Sequence, residues 1–129
     1  MSFAESVTEF SKKTEKKIRQ GHQLAIISLF SSVILRSPVD TGRFRANWII
    51  TADQPSKDTR MEFDKSGSYV INTVVKFMED NKASTIYLAN NLPYAERLEN
   101  GWSQQAPYGM VRLSIASFDR MFKEAVDKS

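Results

Sequence analysis

Residues 22–48 read HQLAIISLFSSVILRSPVDTGRFRANW. The first fifteen positions, His22 to Arg36, are apolar almost all round, which is the pattern of a buried helix. Ala25, Ser28, Ser31 and Ser32 form one narrow strip of small residues on it, where another element can approach closely. Ser37-Pro38 stops this helix, because the residue before a proline is pushed out of the α region. Asp40-Thr41-Gly42 then supplies turn chemistry, with Asp40 expected to accept backbone N–H bonds. Residues 44–52, FRANWIITA, read as a strand that places Phe44, Ala46, Trp48 and Ile50 on one face and Arg45, Asn47, Ile49 and Thr51 on the other.

Upstream, residues 2–20 contain no proline and continue the helical spacing through Val7, Phe10 and Ile18. This half is amphipathic and charged, with Glu9–Lys13 and Glu15–Arg19 spaced as favourable i,i+4 pairs. A single helix from Ser2 to Arg36 would be about 52 Å long at ~1.5 Å per residue. A compact chain of this size is only about 36 Å across. Either the helix breaks, most plausibly at Gly21, or its first half lies on another subunit, and residues 1–20 are expected to form a protruding helical arm.

Downstream, residues 53–68 are polar and read as a long loop or a weak hairpin around Arg60–Phe63. Tyr69–Asp80 carries Val70, Val74, Phe77 and Met78 at helical spacing, with Ser68 as its expected N-cap. Thr85–Ala89 favours a strand. Pro93 opens a helical turn, Tyr94–Glu99, that Asn100-Gly101 ends, and Trp102–Pro107 is a polar loop. A last helix is predicted over Tyr108–Lys128, with Val111, Ile115, Phe118, Phe122 and Ala125 on one stripe. The sum is a single α+β domain over residues 1–129: a long N-terminal helix and a C-terminal helix packed on a small, mostly antiparallel sheet.

Composition narrows the function. The chain has 129 residues, 41% hydrophobic and 26% charged, the profile of one ordinary globular domain. With no cysteine, it can form no disulfide, Cys-ligated zinc site, iron–sulfur cluster or thiol nucleophile. The N-terminus lacks the pattern of a secretory signal, and the Leu24–Leu35 stretch is too short for a membrane span, so assembly inside a cell is expected. Residues 1–50 hold eight basic and four acidic groups, a mild excess of +4, against ten and eleven in residues 51–129.

No catalytic set emerges from the residues. His22 is the only histidine, so neither a Ser-His-Asp set nor a multi-His metal site is favoured, and His22 is read as structural. Asp40-Thr41-Gly42 matches the triplet of aspartic proteases, in which two Asp share a proton. Arg43 beside it would hold the carboxylate ionised, and no Gly-rich flap follows, so a structural turn is the preferred reading. No phosphate-cradling Gly-rich motif is present, and the carboxylates Glu79, Asp80, Glu96 and Glu99 read as solvated faces. The stripe Lys12, Lys13, Lys16, Lys17 and Arg19 could meet phosphates, but no aromatic lies among the lysines to stack on bases, which favours a solvated face. Trp102 sits in a segment too polar to build its own core. Either the loop folds back on the domain or the indole anchors a contact with another chain. Arg43 and Arg45 are placed either to pair locally or to grip a neighbour.

Two stretches stand out together: SPVDTGRFRANW, residues 37–48, and YLANNLPYAERLENGWSQQAPYGMVRLSI, residues 87–115. They resemble the neck or tail-completion proteins of tailed bacteriophages, which join the DNA-filled head to the tail. The family shows a helix ending in a Pro-Val-Asp-Thr-Gly-Arg-like turn, a strand bearing Trp, an Asn-x-x-Pro-Tyr-Ala-x-x-Leu-Glu-x-Gly run, a Ser-x-Gln-Ala-Pro loop and a Gly-Met start to the last helix. The resemblance implies a non-enzymatic virion protein without cofactor or metal, assembled in the host cytoplasm as a ring of six copies around the DNA channel. Its implied partners are copies of itself, the neighbouring connector or stopper, and terminator or tube proteins. DNA would pass through without sequence-specific recognition. A tail terminator capping the tube is the alternative within this class, and a small DNA-associated binding protein the alternative outside it. The expected interface residues are Arg43, Arg45, Tyr94, Trp102 and Gln104. Pro38, Asp40, Gly42, Pro93 and Gly101 are the expected structural turn positions.

Overall fold

The structure, a computed structural model, describes the backbone of residues 3–118 except Ser84, together with residues 120, 123 and 127. Side chains are described from Arg19 onward. Helix α1 spans Phe3–Arg36, helical turn α2 Arg43–Ala46, strand β1 Ile49–Ala52 and helix α3 Ser68–Asp80. Strand β2 covers Ile86–Ala89, helix α4 Ala95–Glu99 and helix α5 Val111–Ala116. The architecture is α+β: helices around one two-stranded antiparallel sheet.

Helix α1 runs unbroken through Gly21, which removes the first of the two alternatives, a break at that glycine. A helical glycine costs only about 1 kcal/mol relative to alanine, which a continuous 34-residue ladder absorbs. The apolar second half is not buried all round. Ala25, Val33 and Ile34 are buried, whereas Leu24, Ser28 and Leu35 face solvent. Helix α3 lies against α1 and buries Val70, Val74 and Met78, as their spacing predicted. Gln23 Nε2 ties the two helices by donating to the Met78 carbonyl at 3.1 Å.

The strand expected over residues 44–52 exists only as Ile49–Ala52, because residues 43–46 form a helical turn. Gly42 precedes that turn at φ 93°, and a Cβ there would lie 2.6 Å from the Lys65 backbone nitrogen. The left-handed backbone and the close approach both require glycine. The turn still delivers Phe44, Ala46, Trp48 and Ile50 to the core. Strand β1 pairs with β2 in the register Ile49↔Ala89 to Ala52↔Ile86.

The segment from Asp53 to Gly67 is loop throughout, with no hairpin at Arg60–Phe63. Helix α3 is not capped by Ser68. Asp64 reaches forward instead, accepting from Val70 N–H at 2.9 Å and from Gly67 N–H at 3.2 Å. The last helix begins at Val111 rather than Tyr108, and Ser114 within it and Met110 just before it are buried, while Ile115 is 59% exposed. The small-residue strip explains the difference: Ser114 Oγ meets Ser32 Oγ of α1 at 3.0 Å, so the small face of α5 is the one turned inward. Phe122 and Ala125 of the expected stripe lie outside the described residues.

Candidate interface site

The turn after α1 and the loop between α4 and α5 form one braced unit. Ser37 closes the helix, its hydroxyl donating to Val33 C=O at 2.8 Å while accepting from Trp48 Nε1–H at 2.8 Å. Pro38 follows at the helix end, and Val39 is held by Gln105. The Gln105 amide accepts Val39 N–H at 2.8 Å and donates to Val39 C=O at 3.0 Å. A single side chain thereby copies one rung of a β-ladder across 66 residues of sequence.

Asp40 does not act as the turn's acceptor. It is exposed and has no hydrogen bond among the described residues, whereas Thr41 Oγ1 accepts Arg43 N–H at 3.2 Å. Gly42 C=O receives both Ala46 N–H at 3.0 Å and Asp64 N–H at 2.9 Å, which joins the turn to the start of α3.

Of the two arginines expected at an interface, Arg45 is engaged by its own chain. Its guanidinium donates to the carbonyls of Leu35 at 2.9 Å and Ser37 at 2.8 Å, satisfying the C-terminal end of α1, and to Lys65 C=O at 2.8 Å. Burial pushes the guanidinium below its ordinary pKa, opposed by the charge of Asp64. Its Nε is the one buried side-chain polar atom without a partner among the described residues. Arg43 reaches Arg60 C=O at 3.3 Å.

Asparagines carry the next set of braces. Buried Asn47 donates to Arg43 C=O at 2.7 Å and Arg60 C=O at 3.0 Å, and accepts Arg60 N–H at 2.7 Å. Asn90 donates to Phe44 C=O at 2.9 Å, and Asn91 to the carbonyls of Ser56 and Asp58. Leu92 C=O accepts Ala95 N–H at 3.1 Å, a turn with Pro93 at its second position, where its fixed φ is pre-set. Tyr94 then packs its ring on Phe44 at 5.8 Å, and Phe44 stands edge-on to Trp48 at 5.9 Å. Tyr94 is thus part wall of the core and part surface.

Gly101, in the left-handed region at φ 88°, ends α4 with its N–H on Leu98 C=O at 3.1 Å and packs directly against the Pro107 carbonyl. The loop between these residues is closed at its base. Glu99 fixes its exit: Oε1 accepts Met110 and Val111 N–H, both at 2.9 Å, and Oε2 accepts Arg112 N–H at 3.0 Å. Glu99 is therefore the cap of α5 rather than a solvated carboxylate. Inside the loop Ala106 is buried. Trp102 and Tyr108, beside the two ends of the pinch, are each 72% exposed. Trp102 does not fold back into the core; its only described ring contact is the Arg97 guanidinium, 5.3 Å from the ring centroid. Gln104 is exposed beside it, and its neighbour Gln105 makes the bonds to the turn.

Sequence reasoning missed Gln105, Glu99, Asn47, Asn90 and Asp64, all of which act on backbone groups: Asp64 on the nearby start of α3, the others on segments farther along the chain. Among the described residues no group of three or more His, Asp or Glu side chains is placed to hold a metal ion, and no helix is long and apolar enough to cross a membrane. His22 and Arg19 are exposed on α1, and the side chains of Lys12 to Lys17 lie outside the described residues. Comparison of the chain with protein-family models, with curated proteins and with solved structures gave no match.

Proposed function

We propose that the protein is a structural component of a tailed-bacteriophage virion, joining head to tail as a homo-oligomeric ring around the DNA channel. The observation that carries this reading is the braced loop. The two stretches that resemble the neck and tail-completion family meet through Gln105 and Val39, and Trp102 and Tyr108 are the large hydrophobic side chains that their union leaves most exposed. A large aromatic on a pre-ordered loop loses little freedom on docking, the condition for an interface anchor. Tyr94, Gln104 and Arg43 border the same unit and serve as its secondary contacts, while Arg45 holds the unit together from within. Neighbouring connector, stopper, terminator or tube proteins are the further partners in this reading, and capping of the tail tube is a variant of the same role.

The test is the assembly state of Trp102→Ala. Since the indole is mostly in solvent, monomer stability should change by less than about 0.5 kcal/mol, while the oligomer seen by sedimentation or light scattering should dissociate at least tenfold more readily. A variant that assembles like the parent chain, or a parent chain absent from purified particles, refutes the reading.

A further inference from the structure

A groove of about 700 Å³ opens between α1, the end of α3, the start of β2 and Phe118. Ile26, Phe30, Met78 and Ile86 form its apolar floor, and Arg19 and Lys82, both exposed, stand on its rim. Among the described residues no carboxylate lines it. Its natural occupant is an apolar helix face flanked by acidic residues.

The chain itself contains such a face. Residues 1–11, MSFAESVTEFS, carry Glu5 and Glu9 and no Lys or Arg, and Phe3, Val7 and Phe10 fall at i, i+4 and i+7. Residues 3–11 belong to the same unbroken helix that supplies one wall of the groove. Val7 and Ile26 are nineteen positions apart, about 28 Å along the axis at ~1.5 Å per residue. A continuous helix cannot double back, so its first turns never reach the groove of their own copy.

We propose that residues 3–10 of a second copy dock in this groove, their phenylalanines and valine on its floor and their glutamates against Arg19 and Lys82. The proposal rests on the reading of the chain as self-assembling and names the contact that does it. Exchange of arms covers the apolar floor of each copy with the leading end of another's helix, by reciprocal exchange in a pair or by passing from copy to copy around a ring.

The absence of cysteine makes cross-linking clean. Chains carrying Val7→Cys are mixed with chains carrying Ile26→Cys and oxidised, with Val7→Cys plus Lys57→Cys as the control pair. A mixed disulfide dimer enriched at least tenfold over the control is expected. In a second arm, Arg19→Glu/Lys82→Glu should weaken self-association about tenfold, and Glu5→Lys/Glu9→Lys in the same chain should restore it. Arg19 and Lys82 are exposed, so their replacement leaves the core intact.

Absence of the mixed disulfide from a chain that is still oligomeric overturns the proposal but leaves self-assembly standing. A parent chain that is monomeric at all concentrations overturns both. An intramolecular disulfide in the double variant Ile26→Cys/Phe122→Cys overturns it by showing the groove filled by the chain's own C-terminal segment.

Discussion

Replacing Asn47 tests the idea that side-chain amides, rather than a ladder, hold the middle of this chain. The residue is 0% exposed and makes three hydrogen bonds, two as donor and one as acceptor. At a net value near 1 kcal/mol each, Asn47→Ala should cost about 3 kcal/mol. Domains of this size are stable by roughly 5–15 kcal/mol, so the variant should still fold at 25 °C. With a urea m-value near 1.5–2 kcal/mol/M, its midpoint should fall by about 1.5–2 M. Asn47→Asp keeps the acceptor facing Arg60 N–H but aims a second oxygen at two carbonyls, and at neutral pH should cost more than alanine. Native-state hydrogen exchange supplies the local readout, because the Arg60 amide loses its only described partner. It should exchange far faster in Asn47→Ala while the amides within α3 retain an order set by global stability. A loss below about 1 kcal/mol, or an Arg60 amide as protected as in the parent, would show that the loop is held by something else.

Two further expectations follow from the same geometry. Glu99→Ala removes the acceptor of three N–H groups at the start of α5 and should cost about 2–3 kcal/mol, whereas Glu99→Gln retains Oε1 for two of them and should cost about 1 kcal/mol; equal losses in thermal denaturation would refute the capping assignment. Gly42→Ala, strained by its left-handed backbone and placed against the Lys65 nitrogen, should cost at least about 2–3 kcal/mol in urea unfolding, and a neutral result would mean that the turn and the loop are not in contact.

What the sequence disclosed depended on whether the deciding interaction was local. The end of α1 at Ser37-Pro38, the stripe Val70, Val74 and Met78, the strand at Ile86–Ala89 and the Pro93 turn all follow from neighbours in the chain. Residues 43–47 do not. Alternation of Phe44, Ala46, Trp48 and Ile50 fits a strand, and all four are buried, yet Gly42 is pinned against Lys65 and Asn47 bonds to Arg60, thirteen residues on. A helical turn results. Helix α5 misled in part for a similar reason: Val111 packs against the core as its spacing predicts, but Ile115 stays exposed, because Ser114 is the residue turned towards the serine of α1. At the loop, the prominence of Trp102 was legible, but its exposure was not, since it depends on Gly101 closing on Pro107. Gln105 and Glu99 were illegible because their partners are main-chain groups, which every residue has.

That last property has a consequence for residues 56–65. Asn91, Asn47, Arg43 and Arg45 all grip this strap by its carbonyls and one amide, at Ser56, Asp58, Arg60 and Lys65. A peptide group is the same whatever side chain hangs from it, proline's missing N–H aside. The strap's path is therefore written largely in other parts of the chain, and apart from Ser56, Arg60, Met61 and Asp64, whose side chains make bonds of their own, its letters are free to drift, to be rewritten for a new neighbour without disturbing the course it follows.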